Sequence, residues 1–245
     1  MTTTEIVFIL LVGGVAAVVK SIAGMGYPLI LLPVLALFLD VADAVVIVAP
    51  SNLFLNLTLV YSGRGEWSNS TTLPRFLSGA VAGAVCGSLL LHSLPNNLLR
   101  GALVLIIVVF LMNQFRSTKF ELSEQQGLRL APGVGAVAGL FHGAAAISGP
   151  VVTPWFLSLG LTRAAFIFSV SSVFTLAGLV QIVVFAIQGV FTMELFLLSI
   201  ALVPLSQLVF PIGNRIGDRV SVENFRRLVM FLLAVSAVSL VVRMF

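Results

Sequence analysis

The sequence predicts an all-α polytopic membrane protein made of two inverted repeats of about 120 residues, each a broken-helix hairpin followed by three transmembrane helices. Three observations predict it. Of 245 residues, 59% are hydrophobic and 9% charged, with a mean hydropathy of +1.16, more apolar matter than a soluble domain hides from water. The apolar runs are long enough to cross about 30 Å of hydrocarbon at about 1.5 Å per helical residue. Two runs are short, and each opens at a proline behind a small-residue cluster, GMGYP and AISGP, as half-helices do.

The first apolar run, 5–22, follows MTTTE, which lacks the positive start of a cleavable signal peptide, so it is expected to be retained. It ends among Lys20, Ser21, Gly24 and Gly26, and a shorter segment over 27–39 begins at Tyr27 and Pro28. Helices are expected next over 43–61, 74–92 and 98–115; in the middle one, Gly79, Gly83 and Gly87 recur every four residues and mark a helix-packing face. A polar stretch, 116–129, leads to a run over 130–146 that contains His142 and is followed by Ser148, Gly149 and Pro150. A second short segment, 150–160, and helices over 164–187, 192–212 and 225–244 complete the chain. The predicted division is a first transmembrane repeat at 1–115, a cytoplasmic connecting loop at 116–129 and a second repeat at 130–245.

The repeat shows as a register. A shift of 122 residues places Pro28 on Pro150, Gly13 on Gly135, Val15 on Val137, Leu35 on Leu157 and Ala42 on Ala164. After a few residues of slippage, GSLLLHSLPNNLLR at 87–100 resembles GNRIGDRVSVENFR at 213–226. If each breaker-containing stretch returns to its starting side, Arg64, Arg75, Arg116, Lys119, Arg129, Arg163, Arg215, Arg219, Arg226 and Arg227 share one side, opposed by Arg100 and Arg243. Single crossings would split the same residues evenly. Cytoplasmic loops collect Lys and Arg, so the hairpin arrangement is preferred, both termini falling on the non-cytoplasmic side of the cell membrane. An odd number of simple crossings per half then makes the halves inverted.

Composition also excludes. Cys86 is the only cysteine, which rules out an internal disulfide and any multi-cysteine metal site, and neither metal nor cofactor is expected. The net charge of +4 comes from loop Lys and Arg rather than a clustered basic face, so no nucleic-acid partner is expected.

Lys20 is the sharpest feature, because an ionisable group between two apolar segments is costly unless it snorkels to headgroups or faces protein, water or a bound anion. The register sets His142 122 residues after Lys20, so both halves carry a basic nitrogen eight residues before the hairpin proline. His142 is either a packing residue or the second wall of one anion site, and imidazole also exchanges protons near neutral pH. Gly24 and Gly26 in one half, and Ser148 and Gly149 in the other, allow sharp turns with unpaired amides, which at membrane depth belong in a polar cavity or buried in protein. Pro28 and Pro150 suit the first turn of a following half-helix, whose positive amino end favours anions. Tyr27, Asn52 and Ser172, with Ser21, Asn56, Ser171 and Thr175, are further candidates for the lining; such groups also serve as interhelical hydrogen bonds, as Gln181 does on the same reasoning.

The stretch GGVAAVVKSIAGMGYPLILLP, its counterpart GVGAVAGLFHGAAAISGPVV and the later GNRIGDRVSVENFRRLVMFLLAV together resemble the sulfite exporter TauE/SafE (TSUP) family of anion permeases over nearly the whole chain. Tyr27 stands where that family has a further glycine, and Cys86 lies outside both hairpins, away from where thiosulfate-transporting members carry cysteines. The resemblance implies a secondary transporter in the lipid bilayer, not an enzyme, for a small anionic substrate such as sulfite, an organosulfonate or sulfoacetate. Another small organic anion, such as a carboxylate, is the alternative, and a homodimer is compatible with either. The competing class is an intramembrane hydrolase with Ser148 as nucleophile and His142 as base; their six-residue separation would require the chain to bend between them, and no acidic residue is near either in sequence.

Overall fold

The computed structural model describes residues 3–23, 25–115, 121–217 and 238. Among them the chain is all-helical, with no strand: α1 (Thr3–Ala23), α2 (Tyr27–Leu35), α3 (Val41–Ser62), a 3-10 turn η1 (Arg64–Asn69), α4 (Leu73–Leu91), α5 (Asn96–Phe115), α6 (Glu124–Ala145), α7 (Gly149–Ser158), α8 (Arg163–Gln188) and α9 (Met193–Gly217), joined by short non-helical connections. The last predicted helix, 225–244, lies outside the described residues except for position 238. Five helices, α1, α3, α4, α8 and α9, are long and apolar enough to cross a membrane. Outward side chains such as Ile187 (80% exposed) and Leu208 (74%) present hydrocarbon rather than charge, as a lipid-facing surface does.

Helix ends follow local chemistry. The expected start of α6 at 130 moves to Glu124, so the end of the 116–129 stretch is helical. Ser123 is the reason: its Oγ accepts from the Gln126 amide at 3.3 Å while Gln126 Oε1 accepts from the Ser123 amide at 3.1 Å, a reciprocal cap over S-x-x-Q. Helix α8 begins where the Thr162 hydroxyl accepts from the Ala165 amide at 3.2 Å and ends at Gly189. The short α2 stops at Leu35 rather than at 39, its Pro33 costing one interior hydrogen bond.

The tightest seam joins α4 to α6. A methyl group added at Gly79, Gly83 or Gly87 would fall 1.9–2.2 Å from the carbonyl oxygens of Pro132, Ala136 and Leu140. Reciprocally, Gly135, Gly139 and Gly143 press on the carbonyls of Phe76, Ala80 and Ala84. Only backbone-to-backbone contact allows this, and the two helices run parallel, in the small-residue packing that lets membrane helices approach closely. The three glycines on α4 were legible as a packing face; their partners on α6 repeat with the same spacing.

Helices α3 and α8 form the centre, since 61% and 56% of their apolar windows are buried against 33% for α1 and α9. They pack side by side and antiparallel: Gly63 meets Phe168 at one end, while Leu53 approaches Gly178 at the other. Around them, α1 packs on α9 and α6 on α4, and α3 touches α9 as α8 touches α4.

Candidate functional site

Two breaks in the helical course define the site. Helix α1 ends at Ala23 and α2 begins at Tyr27; α6 ends at Ala145 and α7 begins at Gly149. Gly26 turns the first break at φ 108° and Ala146 the second at φ 53°, the latter a left-handed conformation that costs a non-glycine residue about 1–2 kcal/mol. Pro28 and Pro150 sit within the first two positions of α2 and α7, where a missing N–H has no partner to lose. Gly24 lies outside the described residues.

The breaks meet. The Thr153 hydroxyl of α7 donates to Met25 Sδ at 3.3 Å, and one cavity of about 20 Å³ is walled by residues of both breaks, Met25, Gly26 and Pro28 on one side and Ala146, Ile147, Ser148 and Gly149 on the other. Lys20, Leu29, Asn52 and Phe174 close it. Three facing pairs, Met25 with Ile147, Gly26 with Ser148 and Asn52 with Phe174, each stand 122 residues apart.

Lys20 does not snorkel: its side chain is fully buried. Its Nζ donates to Asn56 Oδ1 at 2.7 Å and to Asn52 Oδ1 at 3.0 Å, and lies 5.7 Å from the centre of the Phe174 ring. Asn56 is held in turn, its Nδ2 donating to the Asn52 carbonyl at 2.8 Å. Among the described residues no carboxylate pairs with Lys20. With Lys20 as an ammonium, the neutral amides would satisfy two of its three donors and leave its charge uncompensated, and a buried uncompensated charge attracts an anion.

His142 stands behind this wall. Its Nδ1 lies 3.1 Å from Ser148 Oγ, its ring stacks on Phe174 with centroids 5.6 Å apart, and its buried Nε2 has no partner among the described residues, facing Gly178 instead. Gln181 fixes the helix end, its Nε2 donating to the carbonyls of His142 and Gly143 at 2.9 and 2.8 Å, the interhelical role expected of it. The turn at Ala146 supplies the bend that brings Ser148 back to His142 across six residues.

Besides His142, several candidates do not line the cavity. Tyr27 is wholly buried and donates to Ser51 Oγ at 2.9 Å; Ser21 caps its own helix through the Val18 carbonyl at 2.7 Å. Pro150 faces a separate apolar groove between α5, α6 and α7, and Ser172 is buried on α8 with its hydroxyl, like those of Ser171 and Thr175, unpartnered among the described residues. Sequence reasoning missed Met25, Leu29, Ala146, Ile147 and Phe174, apolar residues without contrast in an apolar chain.

Helices of spanning length around an internal polar site with a buried lysine define a multi-pass membrane protein. Comparison with known families places it further: the model of the family described as Sulfite exporter TauE/SafE matches residues 9–240, and the chain belongs to that family, one of membrane transporters. Neither the comparison with curated proteins nor that with solved structures returned a match.

Proposed function

We propose that the protein is a secondary permease for a small anion, a sulfur-containing oxyanion or organosulfonate such as sulfite or sulfoacetate, working by alternating access around the cavity beside Lys20. One observation carries this: a single cavity joins both helix breaks to a fully buried lysine with no carboxylate partner among the described residues. The amino ends of α2 and α7 and the third Lys20 donor supply positive potential, and Ser148 a hydroxyl. His142 positions Ser148. A cavity of about 20 Å³ accommodates one water, so an oxyanion gains access only when the helices part.

The inverted-repeat reading, with 1–115 and 130–245 as the two halves and both termini outside the cytoplasm, is supported by the packing. Under the 122-residue register, α1 corresponds to α6, α3 to α8 and α4 to most of α9. Contacts α1 to α9 and α6 to α4 are then the same contact made twice, as are α3 to α9 and α8 to α4. The corresponding helices α3 and α8 run antiparallel, the relation that inversion demands. Lys20 against Asn52 and Asn56 in one half becomes His142 against Phe174 and Gly178 in the other.

Transport by purified protein in liposomes tests the function: labelled sulfite or an organosulfonate should move, and Lys20→Ala should abolish the movement. Transport of carboxylates alone would turn the assignment to the alternative substrate class. A second reading rests on the 3.1 Å contact of Ser148 with His142 at the start of α7, the geometry of a hydrolytic dyad. No carboxylate orients the imidazole among the described residues, which disfavours it. Acylation of Ser148 by a fluorophosphonate would establish it instead.

A further inference from the structure

We infer that Asn52 and Asn56 are a built-in substitute for the anion: their amide oxygens hold the Lys20 ammonium whenever cargo is absent, and so permit the protein to recross the membrane without substrate. The inference rests on the transport reading. Net transport requires both the loaded and the unloaded protein to interconvert between access states. For the unloaded protein this means closing the helices over a bare ammonium, among the costliest groups to bury.

The geometry supplies a remedy. Asn56 Oδ1 at 2.7 Å and Asn52 Oδ1 at 3.0 Å take two of the Lys20 donors. The cavity beside them, about 20 Å³, is too small for a pyramidal or tetrahedral oxyanion, so in this arrangement the amides, not cargo, serve the ammonium. Asn52 lines the cavity and Asn56 does not. Asn56 is wholly buried, and its Nδ2 bond to the Asn52 carbonyl fixes its oxygen toward Nζ. Neutrality is essential to the design. An amide satisfies donors without cancelling charge, leaving Lys20 able to attract an anion, whereas a carboxylate would compete with it. Positions 174 and 178, the counterparts under the 122-residue register, are Phe and Gly, so the device exists once.

The test compares two modes of flux. Proteoliposomes holding wild type, Asn56→Ala or Asn56→Asp are loaded with radiolabelled sulfite at clamped membrane potential, and efflux is followed into anion-free buffer (net) and into buffer with unlabelled sulfite (exchange). Asn56→Ala should slow net efflux about tenfold to a hundredfold, the size of one charge-assisted hydrogen bond, while exchange falls less than about threefold because the anion itself supplies oxygens. Asn56→Asp should slow both modes yet raise the ratio of net to exchange flux, since its carboxylate keeps Lys20 satisfied without cargo. Equal loss of both modes in Asn56→Ala, or no loss in either, overturns the inference while leaving the permease reading intact. Should Asn56→Ala fail to reconstitute, a net-to-exchange ratio in Asn56→Asp at or below wild type overturns it. Wild-type protein that moves sulfite in neither mode defeats the permease reading for this anion, and the inference with it.

Discussion

Replacing Gly83 by alanine should damage both fold and site, and the structure sets the scale. The new Cβ would stand 1.9 Å from the Ala136 oxygen and 2.7 Å from the Leu140 nitrogen, both backbone atoms that no rotamer change relieves. Carbon and carbonyl oxygen ordinarily approach to no less than about 3.3 Å, so against 1.9 Å the helices must separate by about 1.4 Å. Such a shift loosens the neighbouring contacts at Gly79, Gly87, Gly135, Gly139 and Gly143 as well. A cost of about 3 kcal/mol, the upper end for overpacking, lowers the melting temperature by about 6–12 °C in a chain of this size. Helix α6 also leads directly into Ala146, Ile147 and Ser148, so a displacement of this size reaches the wall of the cavity. The assay is thermal unfolding of detergent-purified protein, with Gly133→Ala on the partner helix α6 as control. Among the described residues no atom outside the local helix lies within 4 Å of the added methyl at Gly133, and that change should be neutral or stabilising by up to about 1 kcal/mol, the helix-propensity gain. A melting temperature for Gly83→Ala within about 2 °C of wild type, a shift worth under about 1 kcal/mol, would refute the backbone-to-backbone seam.

Further outcomes follow from single residues. Gly26→Ala meets only Val19 at 3.6 Å but must adopt φ 108°, so it should destabilise by about 1–3 kcal/mol through backbone strain; an unchanged melting temperature would show the break to be relaxed. Gln181→Leu removes the two bonds to the His142 and Gly143 carbonyls and should cost about 1 kcal/mol, with loss of transport exceeding loss of stability if the end of α6 positions Ser148. His92, just beyond α4, is partly shielded, and burial pushes its imidazole below the ordinary value while the Asp43 carboxylate opposes the shift. Its folded pKa lies under its unfolded one, so the unfolded chain binds more protons and stability should fall slightly as pH drops below about 6.5; His92→Gln should flatten that slope, and a slope of opposite sign would contradict it.

The course of the chain was readable because the membrane imposes it: length and hydropathy mark the long helices, and prolines behind small residues mark the two breaks. Ends set by side-chain hydrogen bonds were less legible, as the start of α6 at Glu124 shows; the Ser123 and Gln126 signature was present, but the polar stretch around it reads as loop. Lys20 stood out in the sequence because charge is rare there, and Asn52 and Asn56 because amides are. The burial of Lys20 was not legible, since the first segment is long enough for a lysine near its end to reach headgroups. Phe174 was invisible for the opposite reason, one aromatic among 19 phenylalanines. Only the register pointed to it, because 174 is 122 residues after Asn52.

Ligand-induced stabilisation tests the anion site most directly. Purified wild-type protein and Lys20→Met would be melted with sulfite, sulfate, thiosulfate, sulfonates and carboxylates in turn. At a hundredfold excess over its dissociation constant, a bound anion should stabilise wild type by about 2.7 kcal/mol, or about 5–10 °C, and the increment should vanish in Lys20→Met. An anion that raises both melting temperatures equally would show that it binds elsewhere, and would contradict the assignment of the Lys20 cavity as the site.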